Sequence, residues 1–168
     1  MKRFSIAVFL TLSLVSCSSS TSPATPERTT PQQTGQTTSF RVLVEAASLS
    51  GLERKEQLVI NDQAALDAFW KKAYPEEEQR PPTPSVDFSG ELVLAVSQGM
   101  QSTGGYSVTI AEVKESDTAL TVFVKETSPG KSCAVTQAFT YPLFIVAVPK
   151  TNKPISFSTV SDTTNCAR

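Results

Sequence analysis

The apolar and polar positions divide the chain into a short apolar run, a long polar stretch and a remainder that alternates mostly with the period of β-strands. Phe40 to Val44 and Glu56 to Ile60 read as strands, separated by a polar turn with Gly51. The one clear helix follows. Leu66, Phe69, Trp70 and Ala73 fall at i, i+3, i+4 and i+7, the spacing of a single apolar face. Asn61 or Asp62 stands at the N-cap position. Lys71 and Lys72 suit the negative pole of the helix dipole, and Pro81-Pro82-Thr83-Pro84 blocks continuation. Beyond the prolines the pattern is wholly β. Glu91 to Ser97, Tyr106 to Val113, Ala119 to Lys125, Pro142 to Val148 and Ile155 to Val160 carry strand signals. Tyr106/Val108/Ile110 and Leu120/Val122/Val124 alternate, which implies one buried face each. Leu143 to Val148 is apolar throughout, as in a strand covered on both sides. Gly104-Gly105, Glu115-Ser116-Asp117 and Pro129-Gly130 mark turns. Short connections favour antiparallel pairing. The expected fold is mainly β with some α (α+β): an antiparallel sandwich or partly open barrel with one packed helix.

The apolar run at the start changes the picture. Lys2 and Arg3 precede Ile6 to Val15, so residues 1–16 read as a signal peptide. The run is too short to span a ~30 Å hydrocarbon core, and no later stretch is long and apolar enough, so the mature domain is expected to be otherwise soluble. Leu14-Val15-Ser16-Cys17 resembles the bacterial lipobox, in which the cysteine thiolate accepts the diacylglyceryl group. Two or three acyl chains at ~0.8 kcal/mol per buried CH₂ hold firmly. Of the 21 residues 18–38, 17 are Ser, Thr, Pro or Gln. Such a segment cannot offset its ordering entropy and is expected to be a disordered tether with a reach on the order of 70 Å. The expected plan is a signal peptide over 1–16, a lipidated Cys17 and tether over 17–38, and one globular domain over 39–168. The expected location is the cell envelope, lipid-anchored to a membrane: the outer membrane or periplasmic face in a Gram-negative cell.

Charge and cysteine count narrow the chemistry. Without Lys2 and Arg3, 13 basic face 16 acidic side chains, which gives no support to nucleic-acid binding. The chain has no histidine, which removes Ser–His and Cys–His nucleophiles and histidine-ligated metals. With Cys17 acylated, Cys133 and Cys166 remain. In an oxidising compartment they read as a disulfide closing a loop of about 33 residues, worth ~3–4 kcal/mol on the chain-entropy estimate. A redox pair usually stands as Cys-x-x-Cys, which this spacing does not match.

The loop Gly99 to Gly105 is the most informative stretch. Two adjacent glycines permit positive φ and the close approach of another backbone. Thr103 and Tyr106 flank them with a hydroxyl and a ring. One reading is a recognition surface at Thr103, Gly104, Gly105 and Tyr106 that receives a partner segment. The other is a hairpin turn with Tyr106 starting the next strand.

Several stretches carry a family resemblance: Asp87 to Val96, Thr103 to Val108, Val124 to Gly130, Cys133 to Ala138 and Tyr141 to Lys150. Over roughly 85–150 they resemble the C-terminal domain of the protease-complex subunit (PrcB-like) family, whose members are typically bacterial lipoproteins. The founding example is an accessory component of a surface protease complex. The resemblance implies a chain that assists, stabilises or restrains a protease and does not imply a catalytic role; the chain is expected not to be an enzyme. Thr103-Gly104-Gly105-Tyr106 is also similar to the Thr-Thr-Gly-Tyr loop of chagasin-like cysteine-protease inhibitors, although the second Thr is Gly here and the preceding Asn-Pro is absent.

Other groups point to no chemistry. Glu76-Glu77-Glu78 lacks the spaced ligands of a Ca²⁺ loop and reads as a solvated run. Lys131-Ser132 are adjacent in a turn, a poor arrangement for a Ser/Lys nucleophile. No cofactor, metal or catalytic residue is expected. The leading expectation is a lipid-anchored module that binds or stabilises another exported protein, a protease by family resemblance. A β-loop protease inhibitor and an envelope protein of structural or ligand-binding type are the alternatives. A hydrolase using Asp87, Lys131 or Ser132 ranks last.

Overall fold

A computed structural model describes residues 35–47 and 50–166. The expected signal peptide, Cys17 and the tether up to residue 34 lie outside them. The strands are β1 (Gln36–Thr37), β2 (Arg41–Ala47), β3 (Lys55–Ile60), β4 (Glu91–Gln98), β5 (Ser107–Glu115), β6 (Leu120–Pro129), β7 (Leu143–Pro149) and β8 (Ile155–Thr164), with helix α1 (Gln63–Ala73) between β3 and β4. They form two separate four-stranded sheets. The inner sheet runs β2-β7-β4-β3 and the outer sheet β1-β5-β6-β8. The fold is therefore a sandwich carrying one helix, and the barrel alternative falls away.

The inner sheet is the middle of three layers, which explains its composition. Leu92, Leu94 and Val96 of β4 and Phe144, Val146 and Val148 of β7 face Val108, Ile110, Val113, Leu120, Val122 and Val124 of the outer sheet. The alternate residues Val93, Ala95, Leu143 and Ile145 face Leu66, Phe69, Trp70 and Ala73 of α1. Both faces of β4 and β7 are thus dry. Each fully buried Val, Leu or Ile contributes roughly 1.5–3 kcal/mol.

The helix is fixed at both ends. Asp62 is the N-cap, its carboxylate accepting from the Ala65 N–H at 2.8 Å. Lys71 and Lys72 occupy the last turn. The proline-rich segment then turns back over it. The Trp70 indole donates to the Pro81 carbonyl at 2.7 Å, and the Arg80 Nε donates to the Tyr74 carbonyl at 2.7 Å. Tyr74 packs on Trp70 with ring centroids 4.9 Å apart, and its burial raises the phenol above its ordinary pKa.

Two features depart from expectation. Residues 36–37, assigned to the tether, form β1. They pair with Lys114 and Glu115 of β5, and the Thr37 hydroxyl donates to Glu112 at 2.8 Å. Composition argued for disorder, but the edge of β5 supplies partners a short polar segment can use. Second, pairing is not antiparallel throughout: β8 runs parallel to β6 from Leu120↔Ile155 to Pro129↔Thr164. The chain leaves β6, crosses to the inner sheet as β7 and returns beside β6, so the short-connection argument does not reach this pair. Across the sandwich rim, Gln57 of β3 donates to the Thr159 hydroxyl of β8 at 2.8 Å, and Lys55 lies 2.7 Å from Glu126 of β6.

Candidate partner-binding surface

At one end of the sandwich two loops interlock. The first, Gly99 to Tyr106, joins β4 to β5; the second, residues 130–142, joins β6 to β7. The Gln101 N–H donates to the Thr140 carbonyl at 2.8 Å and the Thr140 N–H returns the bond to Gln101 at 3.0 Å. The Thr140 hydroxyl donates to the Thr103 carbonyl at 2.8 Å. The Gly104 N–H donates to the Thr136 carbonyl at 2.9 Å. The glycine loop is bonded to the chain's own second loop.

The two adjacent glycines have different reasons. A Cβ on Gly104 would stand 2.3 Å from the Thr136 hydroxyl, so a larger residue there has to push that side chain aside. Gly105 adopts φ +88°, and a Cβ there would press on Pro129 at 2.9 Å and Val135 at 3.0 Å. Gly104 is buried, Gly105 exposed, and Thr103 and Tyr106 half-buried. Of the four residues singled out in the sequence, Gly104 therefore builds the surface from beneath. Thr103 also bonds the second loop, through its carbonyl.

The second loop is held at its far end by the Cys133–Cys166 disulfide, with Cα atoms 5.0 Å apart. Ser132 donates to the Cys166 carbonyl at 2.9 Å, and the Gly130 N–H donates to the Thr164 carbonyl at 2.9 Å. Ser132 is thus engaged in fastening the C-terminal segment. Asp87 likewise serves its own turn. It accepts from the Ser89 hydroxyl at 2.6 Å and the Ser89 N–H at 3.0 Å, which hold its carboxyl below the ordinary pKa.

The interlock exposes two large apolar side chains that sequence reasoning passed over. Met100 is 46 % exposed and Phe139 62 % exposed. Each directly precedes one partner of the isolated antiparallel bridge Gln101↔Thr140. A phenylalanine outside any alternation, in a loop of Thr, Gln and Ala, was the available signal.

A cleft of about 560 Å³ lies elsewhere, lined by Gln36, Thr37, Glu115, Asp117 and Lys153 among others. It is open and polar. The Lys153 ammonium is held by Glu115 at 2.9 Å and by the Ser116 carbonyl at 2.7 Å.

Fold and site together define a helix-backed β-sandwich that presents a loop platform at one end. Residues 92–149 match the family described as PrcB C-terminal, which bears out the resemblance read from the sequence. The matched stretch holds β5, β6, β7, nearly all of β4 and both interlocked loops. It leaves out β1, β2, β3, α1 and β8. No curated protein and no solved structure matches the chain.

Proposed function

We propose that the protein is a non-catalytic lipoprotein of the cell envelope, anchored to the membrane through Cys17, that binds or stabilises another exported protein through the interlocked loops, with a protease as the partner class. The observation that carries this reading is the exposure of Met100 and Phe139 on a platform braced by backbone hydrogen bonds and a disulfide. Large apolar side chains on a rigid support are what protein interfaces use as anchors. The family match supports the partner class, because both loops lie inside it. The lipobox-like run before Cys17 supports the anchor. A cleft-inserting inhibitor loop is a weaker reading, since Gly104 is buried beneath Thr136. A small-ligand carrier draws no support from the polar cleft described above.

The test is affinity capture from cross-linked envelopes, comparing the wild type with Met100→Ser/Phe139→Ser and with Gly104→Val. The wild type is expected to retain a proteolytic complex that both variants lose while remaining folded. Capture of no protein, or of the same proteins by all three, sinks the reading. Metabolic palmitate labelling, lost in Cys17→Ser, tests the anchor separately.

A further inference from the structure

β8 is the edge strand of the outer sheet, and its backbone can be read residue by residue. The Leu120 N–H donates to the Pro154 carbonyl at 2.9 Å, and the Gly130 N–H to the Thr164 carbonyl at 2.9 Å. Between these two bonds the register has no shift. Backbone direction alternates along a parallel ladder. Ser156, Ser158, Val160, Asp162 and Thr164 therefore turn their N–H and C=O groups to β6. Ile155, Phe157, Thr159, Ser161 and Thr163 turn theirs to the open side, where no strand pairs with them among the described residues. The Thr163 N–H is taken by the Asp162 carboxylate at 2.8 Å.

Long edge strands are usually blunted by proline, lysine or a bulge. The other edges here are shorter, bulged or charged: β1 has two residues, β2 carries two register shifts, and β3 has six residues beginning Lys55-Glu56. β8 has ten residues from Ile155 to Thr164, no proline, no bulge and a single charge, Asp162. Its outward side chains include one apolar group, Val160, which is 61 % exposed.

We propose that this edge pairs with the same edge of a second copy of the chain, antiparallel about a two-fold axis at Val160. The outward chemistry of β8 is self-complementary in that register. Thr159 opposes Ser161 of the second copy, so backbone groups on the open side meet there, and Phe157 opposes Thr163, whose N–H has to exchange the Asp162 carboxylate for the new strand. Val160 meets its own copy in a non-hydrogen-bonded pair, the closest side-chain approach an antiparallel ladder offers. Ser158 meets Asp162, a hydroxyl donor against a carboxylate. The two Asp162 carboxylates stay apart, and each keeps its Lys125 partner at 3.0 Å. Moving the axis to Thr159 would set Val160 against a serine instead. The pairing joins two outer sheets into one of eight strands.

Single cysteines introduced into the full-length chain test the register. In a non-hydrogen-bonded pair, Cβ atoms lie about 4.5–5.5 Å apart, close enough for a disulfide to form with slight movement. Val160→Cys is expected to run as a covalent dimer on a non-reducing gel, with peptide mapping placing the bridge between the two introduced cysteines. Ser158→Cys alone is expected to stay monomeric. Mixed with Asp162→Cys, it is expected to form the heterodimer. Adding Thr159→Pro to Val160→Cys removes an outward N–H without touching the β6 ladder, and is expected to abolish most of the cross-link. A folded Val160→Cys chain that remains monomeric overturns the proposal. So does equal cross-linking at Ser158, or a bridge to a different protein.

Discussion

The helix-backed inner sheet and the interlocked loops are stabilised by different means. In the inner sheet, β4 and β7 are dry on both faces, and apolar burial fixes the arrangement. In the loops little apolar surface is hidden. Reciprocal bonds between Gln101 and Thr140, a glycine that admits Thr136, and one disulfide fix the shape instead. Burial is proportional to area and indifferent to direction, so the sheet hides its large side chains. Hydrogen bonds and steric fit are directional, and they let the loops hold a fixed shape while Met100 and Phe139 stay outside.

The largest expected effect lies in the sheet. Leu94→Ala empties a fully buried site between the sheets and is expected to lower stability by about 2–5 kcal/mol, measured by denaturant unfolding. A smaller loss would show that the sandwich collapses around the gap more easily than its two-sided packing suggests.

Opening the disulfide sharpens the contrast. Cys133→Ser/Cys166→Ser is expected to cost about 2–4 kcal/mol in equilibrium stability. Its local signature should be faster hydrogen exchange at Gln101, Gly104 and Thr140, with β4 and β7 unchanged relative to global unfolding. Uniform acceleration of all these amides would mean that the loops and the sheet form one cooperative unit.

The smallest effect is expected on the solvent face of the outer sheet. A hydrogen bond from Lys125, then the Thr163 N–H, hold the Asp162 carboxyl below its ordinary pKa. A carboxyl depressed in the folded state adds stability above its unfolded pKa of about 4, and that stability is lost as pH falls through the lower folded value. The Thr37 hydroxyl, then Lys114, act likewise on Glu112. Asp162→Asn is expected to flatten a small slope in melting temperature on the acid side of the unfolded pKa of about 4, leaving the neutral value nearly unchanged.

Much of the sheet was legible in the sequence. The spacing of Leu66, Phe69, Trp70 and Ala73 marked the buried face of α1, and Asp62 marked its start. The unbroken apolar run in β7 announced cover on both sides, because period and composition are local signals. The loops were legible only in part. Gly104-Gly105 signalled a close approach, yet the segment approaching them lies beyond two further strands, where no local pattern points. Two-residue β1 fell below any periodicity, and the pairing of β8 with β6 depends on a crossover that alternation does not record. Phe139 and Met100 stood outside every alternating run, and their exposure became visible only once the interlock was seen.

The parallel pairing of β8 with β6 also orders events in time. β6 is complete only when β7 has crossed to the opposite layer and β8 has followed it along the chain. Until then the half-built domain offers a vacant ladder to any extended chain nearby. The Cys133–Cys166 bond acts as a latch, tying a residue just beyond the end of β8 to the loop that leaves β6.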